Sequence, residues 1–170
     1  MSDSHRTLLL MRHAKSDYPD GVADHERPLA ARGIREAALA GDWIRANYSP
    51  VDAVLCSTAT RTRQTLERTG IEAPVQYAER IYDARPGTVI DEINGVSSHF
   101  AADPSTVLLI GHEPAMSAVA LGLADGSNRT AAESISLKFP TSAIAVLRTS
   151  GSWDQLALGG AALVRFHIPR

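Results

Sequence analysis

The chain has 170 residues, of which 44% are hydrophobic and 21% are charged. This size and balance are typical of one folded domain, so we expect residues 1–170 to form a single domain and exclude a disordered chain. The net charge of -2, from 17 Lys and Arg against 19 Asp and Glu, offers no broad positive field, so we expect no nucleic-acid partner.

The single cysteine, Cys56, cannot form an internal disulfide, which fits a reducing compartment. No apolar run approaches the roughly 18 residues of a membrane span, and the run at Leu8–Met11 is ended by Arg12. We therefore expect a cytoplasmic protein without a membrane segment.

Three short apolar runs have the continuous pattern of strands that are buried on both faces of a parallel sheet: Leu8–Met11, Val51–Cys56 and Val107–Ile110. Helix-like segments separate them. Apolar residues three and four apart predict a helix over Ala31–Tyr48. This alternation predicts an α/β fold with a largely parallel sheet.

Two further helices are predicted after the second and third strands. One covers Ala59–Arg68, with Ser57 or Thr58 as its cap, and the other covers Pro114–Ala124, with Pro114 in the first helical position. Toward the end of the chain the pattern changes to three strands without long helices between them, which predicts antiparallel edges: Ser136–Phe139, Ser142–Arg148 and Leu163–Ile168.

Polar side chains follow each of the three parallel strands. In such sheets ligands bind beyond the carboxyl ends of the strands, so these loops are expected to meet at one edge. They carry two histidines, two arginines and smaller polar groups, and two of the loops lead into helix N-termini, which attract anions. The residues are Arg12, His13, Lys15 and Ser16 in the first loop, Ser57 and Arg61 in the second, and His112 in the third.

This set of side chains suits phosphoryl transfer. A neutral imidazole can attack phosphorus while guanidinium groups hold the charged oxygens, and no metal or other cofactor is required. The adjacent residues Asp24, His25 and Glu26 include metal-ligand types, but neighbours in sequence rarely point to one ion, so we expect no metal there.

The same residues resemble the motifs of the histidine phosphatase superfamily, which includes the cofactor-dependent phosphoglycerate mutases. Arg12-His13-Ala14 is similar to the opening Arg-His-Gly motif, with alanine in place of glycine. The segment from Ser57 to Thr65 is similar to Ser-Pro-x-x-Arg-Ala-x-Gln-Thr, and Gly111-His112 to the Gly-His motif that supplies a second histidine. The resemblance extends from Leu8 to about Leu147.

Within this superfamily, the short chain most resembles the SixA-type phosphohistidine phosphatases. Arg27-Pro28-Leu29 and the segment from Thr141 to Ala145 are also similar to that branch. The resemblance implies a three-layer α/β/α, phosphoglycerate mutase-like fold around a mostly parallel central sheet.

The resemblance also implies roles for individual residues. His13 would be the nucleophile that forms a phosphohistidine intermediate, and Arg12, Arg61 and His112 would hold the phosphoryl oxygens. The proton donor is usually a glutamate in a Leu-x-Glu segment, for which Ile81-Tyr82-Asp83 is the nearest match, so Asp83 would be a shorter donor. Additional substrate contacts are expected from Ser57, Lys15, Ser16 and Arg27.

These expectations leave several functions open. The leading one is a metal-independent phosphatase acting on phosphohistidine in a partner protein. The alternatives are a phosphatase for a small phosphorylated metabolite, a phosphate-binding module without catalysis and, least favoured, a mutase, since no lid insertion is evident. The sequence does not fix the oligomeric state.

Overall fold

The structure is a computed structural model and describes residues 5–170. Twelve helices and strands follow one another along this part of the chain, and three of the connections contain a short 3-10 helix. In chain order they are β1 (Arg6–Arg12), α1 (Ala31–Tyr48), β2 (Ala53–Ser57), α2 (Thr60–Thr69), β3 (Val75–Ala78), α3 (Pro86–Asn94), α4 (Val96–His99), β4 (Thr106–Gly111), α5 (Ala115–Leu123), α6 (Arg129–Leu137), β5 (Ile144–Thr149) and β6 (Ala162–His167).

The six strands form one sheet in the order β3-β2-β4-β1-β5-β6. β3, β2, β4 and β1 are parallel to one another, whereas β5 pairs antiparallel with β1, and β6 with β5. The prediction of a largely parallel sheet with antiparallel strands added late in the chain is therefore confirmed.

Hydrophobic packing covers both faces of the sheet. Alternate residues of β1 serve opposite faces: Leu8 and Leu10 join the cluster that contains residues of α3, α5 and α6, whereas Leu9 and Met11 join the cluster that contains residues of α1 and α2. Because central strands of a sheet that is covered by helices on both faces have no solvent-exposed side, their sequence shows a continuous apolar run instead of an alternating one. This is the α/β/α arrangement that the motifs implied.

The predicted bounds of α1 are confirmed. Its buried face includes two glycines at which the helix approaches backbone closely. A Cβ on Gly33 would lie 2.1 Å from the carbonyl oxygen of Lys15, and one on Gly41 would lie 2.0 Å from that of Thr69. Gly33 therefore lets α1 lie directly against the loop after β1, although its helix propensity is poor.

The predicted strand over Ser136–Phe139 is wrong, because Ser136 and Leu137 are the last two residues of α6. The side chain of Asn128 caps this helix by accepting from the N–H of Ala131, and Ala131 and Ile135 form its buried stripe with helical spacing. The other two late strands are present as β5 and β6, each shifted by one or two residues.

Two predicted helix starts are each corrected by one residue. α2 begins at Thr60 after Ala59, so neither Ser57 nor Thr58 is its cap residue, although the Ser57 hydroxyl accepts from the Ala59 N–H at 3.3 Å. α5 begins at Ala115, and Pro114 precedes it as the cap residue. β3, α3, α4 and α6 were not predicted.

No helix within residues 5–170 is long and apolar enough to cross a membrane.

The close approach of α1 to α2 gives a stability test. Gly41→Ala should lower the free energy of unfolding by about 1–3 kcal/mol, because the new methyl group collides with the Thr69 carbonyl. Gly87→Ala, near the start of α3, is the matched control, since nothing lies within 4 Å of its added Cβ. Chemical denaturation of both variants measures the difference, and equal stabilities would contradict this packing.

Candidate active site

The register of the central strands brings the three polar loops together. In β1 and β4, Arg12 lies opposite Gly111, and the N–H of His13 donates to the Gly111 carbonyl at 3.0 Å. In β2 and β4, Cys56 lies opposite Ile110. Since parallel strands end at one edge, Ser57 at the end of β2 lies at the same edge of the sheet as His13 and His112, which directly follow β1 and β4.

His13 is held as a neutral imidazole. The residue is 7% exposed, and Nδ1 lies 2.7 Å from the carbonyl oxygen of Ala14, which can only accept a hydrogen bond. Nδ1 therefore carries the proton, and the lone pair is on Nε2. Burial, reinforced by His112, Arg61 and Arg12, lowers the pKa of His13 to about 3.

His112 lies beside His13, with 5.3 Å between the ring centroids. Its Nε2 is 2.7 Å from the hydroxyl of Ser57, which is itself buried. Because that hydroxyl can donate to Nε2, Nδ1 of His112 can carry the proton. Burial is the largest cause that lowers the pKa of His112 to about 4, followed by Arg61.

Arg12 is fixed by the loop before β5. Its Nη1 donates to the Phe139 carbonyl at 2.9 Å, and its backbone N–H and carbonyl bond to Ala143 and Ser142. The Ser142 N–H is shared between the carbonyls of Arg12 and His13, with Ser142 in the left-handed region at a φ of 69°. Burial lowers the pKa of Arg12, and the Glu113 carboxylate opposes that shift.

Arg61 emerges from the first turn of α2 and is bound at two points by Asp24. Nη1 donates to the Asp24 backbone carbonyl at 2.7 Å, and Nη2 lies 3.2 Å from its carboxylate. The Tyr82 hydroxyl donates to the same carboxylate and is the main reason why the pKa of Asp24 falls to about 2. Sequence reasoning missed Asp24 and Tyr82 as parts of this site.

Gln64 and Thr65 of α2 form hydrogen bonds to the loop between β1 and α1. The Thr65 hydroxyl accepts from the Ala14 N–H at 2.9 Å and donates to the Arg61 carbonyl at 2.7 Å. The Gln64 side chain accepts from the N–H of Leu29 at 2.8 Å. These residues therefore hold the segment after His13 against the helix that carries Arg61.

Three of the residues expected to bind substrate contact other protein groups. Arg27 donates to Ser16 at 2.8 Å and to the Asp24 carboxylate at 3.1 Å, and it stacks 4.0 Å over the Tyr18 ring. The Lys15 ammonium lies 6.0 Å from the same ring. Their expected contact with substrate stays a prediction, and Tyr18, 70% exposed, was not anticipated.

A cleft of about 100 Å³ adjoins Arg61 and His112. Asp83 lines it and is exposed with a φ of 54°, and its role as proton donor stays a prediction. Asp24, Tyr82 and Glu113 share this lining. The Glu113 carboxylate accepts from both the N–H and the hydroxyl of Ser117, so it is anchored to the first turn of α5.

Four polar atoms of residues at this edge are buried with no hydrogen-bond partner in residues 5–170, namely Arg12 Nε, Arg61 Nε, His112 Nδ1 and Ser142 Oγ. Buried polar groups are normally paired, so unpaired donors on neighbouring cationic and imidazole side chains are typical of an anion site. Within the same described residues, no cluster of three or more His, Cys, Asp or Glu side chains is placed to hold a metal ion.

Comparisons with known proteins show the family to which the chain belongs. A family model described as histidine phosphatase superfamily (branch 1) matches residues 8–89. A solved protein of Nakamurella multipartitia, provisionally assigned as the phosphohistidine phosphatase SixA, is 40% identical, with coverage of 97% of this chain and 96% of its own and a TM-score of 0.87. The chain belongs to the histidine phosphatase superfamily. The family identification made from the three motifs is confirmed.

Two further relatives are similar over most of the chain. An uncharacterised protein of Mycobacterium tuberculosis is 63% identical over 162 residues, which are 94% of this chain and 100% of the relative. Phosphohistidine phosphatase SixA of Escherichia coli is 28% identical over 144 residues, covering 81% of this chain and 82% of that protein. These similarities support a phosphatase, which hydrolyses phosphorylated substrates.

The depressed pKa values of the two histidines predict an acid-sensitive fold. When the pH falls below about 6.5, imidazoles in the unfolded chain take up protons, whereas His112 and His13 stay neutral in the folded chain to about 4 and 3. The free energy of unfolding should therefore decrease between pH 6.5 and 5. Each histidine contributes up to about 1.4 kcal/mol per pH unit to that slope.

Denaturant titrations of the wild type and His13→Gln across this pH range measure the contribution of His13. The variant should lose less stability on acidification, because one of the two buried imidazoles is gone. His5→Gln, which alters an exposed imidazole, is the control and should keep the wild-type slope. A His13→Gln slope equal to that of the wild type would contradict a neutral His13.

Proposed function

We propose that this chain is a metal-independent protein phosphohistidine phosphatase in which His13 is the nucleophile. The observation that carries the proposal is the neutral ring of His13, whose Nδ1 faces the Ala14 carbonyl, leaving the Nε2 lone pair for attack. Its depressed pKa, near 3, keeps that lone pair free throughout the neutral range.

In the first chemical step, Nε2 of His13 attacks phosphorus, and the bond from phosphorus to the substrate nitrogen breaks. The phosphoryl group moves to His13, whose ring keeps the Nδ1 proton and becomes a cation. The electron pair of the broken bond stays on the substrate imidazole, which is protonated on its other nitrogen and therefore leaves as a neutral ring. Water then attacks phosphorus, the electron pair of the bond to Nε2 returns to His13, and both protons of the water leave with inorganic phosphate as H2PO4⁻. Atoms and charge balance without an oxidant, a reductant or a metal-bound group.

The phosphoryl oxygens are proposed to be held by Arg12, Arg61 and His112. Each of these side chains has a buried donor nitrogen that lacks a partner among the described residues, so an oxygen of the phosphoryl group would satisfy it. Guanidinium groups in a buried setting stabilise the charge that develops on these oxygens in the transition state. Ser57 supports the set by holding the ring of His112.

Asp83 is the proposed proton donor to the leaving atom. It lines the cleft in an exposed position, and its side chain is one methylene shorter than that of the glutamate in the family motif. A shorter side chain reaches the leaving atom less readily as a proton donor. A phosphoramidate nitrogen is basic enough to leave with little acid assistance, whereas an alkyl oxygen needs much more, so this arrangement favours phosphohistidine over a phosphate ester.

The size of the cleft favours a protein side chain as the phosphoryl carrier. Pockets that enclose small-molecule ligands usually hold about 300–1,000 Å³. The cleft that Arg61, His112 and Asp83 line holds about 100 Å³, less than such an enclosing pocket. A phosphorylated side chain on the surface of another protein needs only its phosphoryl group and ring to enter. A phosphatase for a small phosphate ester with a compact carrier is the second candidate.

Hydrolysis of a phosphohistidine-bearing protein, measured beside a panel of phosphorylated metabolites, tests the proposal. The wild type should hydrolyse phosphohistidine with the higher kcat/KM, and His13→Ala should lower that value by at least about 10³-fold, because it removes the nucleophile. Asp83→Asn, assayed in parallel, should reduce turnover of phosphate esters more than turnover of phosphohistidine.

The controls for this panel distinguish the alternatives. Lys138→Ala changes an exposed residue and should behave as the wild type. Preference for one metabolite would replace the protein substrate with a small molecule while keeping the same nucleophile. Phosphate binding without turnover of any substrate would favour the binding module, and equal losses for Asp83→Asn on both substrate types would contradict its role.

A further inference from the structure

We infer that Asp24 is a positioning residue that fixes Arg61 for phosphoryl transfer and at the same time weakens its hold on phosphate. The inference rests on the proposed function, since it assigns Asp24 a role toward the arginine that is proposed to hold the phosphoryl group. Nothing in the three sequence motifs points to it.

The contact between the two residues is a clamp with two attachment points. The backbone carbonyl of Asp24 accepts from Nη1 of Arg61 at 2.7 Å, and its carboxylate accepts from Nη2 at 3.2 Å. The guanidinium is planar, so two contacts on different nitrogens fix its orientation. The Arg61 side chain is only 8% exposed, and its Nε lacks a partner in the described chain. Both terminal nitrogens of Arg61 are thus hydrogen-bonded to Asp24.

The clamp is itself braced from two other segments. The Tyr82 hydroxyl, from the loop before α3, donates to the Asp24 carboxylate oxygen that faces Arg61. Arg27 donates through Nε to the other oxygen at 3.1 Å. Three donors on one carboxylate keep it ionised, in line with its pKa near 2. The Asp24 side chain is nevertheless 57% exposed and lines the cleft beside Arg61.

A carboxylate in this place has two opposite effects on a bound phosphoryl group. It holds the guanidinium in one orientation before substrate binds, which lowers the entropic cost of ordering that side chain in the transition state. Its negative charge also repels the phosphoryl oxygens and offsets part of the positive charge of Arg61. Both consequences of the charge weaken the binding of any anion. The second effect would help inorganic phosphate to leave a site that otherwise offers two arginines and two histidines.

Asp24→Asn separates these effects, because the amide retains the size of the side chain and the backbone carbonyl contact but loses the charge. Calorimetric titration with inorganic phosphate should show binding tightened by about two- to five-fold, the value of a partly exposed ion pair. Turnover of the phosphorylated substrate should show kcat reduced by about ten-fold or more, because the guanidinium is held less firmly. A variant that is merely less folded would instead lose phosphate binding.

Two matched variants control for charge and for geometry. Glu26→Gln removes the same charge two residues away, where the carboxylate bonds to His25 and Thr60 instead of Arg61, and it should leave phosphate binding and kcat unchanged. Asp24→Glu keeps the charge but displaces the carboxylate, so it should lower kcat without tightening phosphate binding. This second variant also tests the positioning role if Asp24→Asn does not fold.

The outcomes distinguish the inference from the proposed function. Tighter phosphate binding together with a lower kcat in Asp24→Asn supports the clamp. Unchanged or weaker phosphate binding in a folded Asp24→Asn, or an unchanged kcat in Asp24→Glu, would overturn the inference while the wild type still hydrolysed phosphohistidine. A wild type that neither binds phosphate nor hydrolyses any substrate would overturn the proposed function itself.

Discussion

The shared end of three buried parallel strands is the constraint on which the site depends. β1, β4 and β2 are hydrogen-bonded in a register that places Arg12 opposite Gly111 and Cys56 opposite Ile110. Strands buried on both faces cannot slip without exposing apolar side chains or leaving backbone groups unpaired. The fixed register brings His13 and His112 to a ring separation of 5.3 Å, although they are far apart in the chain.

The electrostatics of the site follow from burial at that edge. Two imidazoles and two guanidinium groups share a region with little access to water, which favours neutral histidines and leaves arginine charge incompletely balanced. Asp24 and Glu113 supply part of the missing negative charge. A phosphoryl group would supply the rest, so the arrangement that costs stability in acid is also the one that suits a neutral nitrogen nucleophile.

Local sequence signals predicted the parts of the molecule that depend on local pattern. The three central strands, the bounds of α1 and the loops that carry His13, Arg61 and His112 follow from apolar runs, helical spacing and short motifs. The contact of Asp24 with Arg61 joins residues 37 positions apart and depends on how two loops pack, which no short pattern records. β3 was missed because its four residues are mostly half-exposed. α6 was missed because apolar and polar residues alternate at its C-terminal end, which is the pattern of a strand.

The most direct test of the central claim is to identify the phosphorylated atom of the intermediate. Rapidly quenched wild-type protein, mixed with phosphorylated substrate and kept at alkaline pH, should carry phosphate on Nε2 of His13 by phosphorus NMR and peptide mass spectrometry, because Nδ1 is committed to the Ala14 carbonyl. Phosphate on Nδ1, on His112, or on no histidine during active turnover would contradict this account.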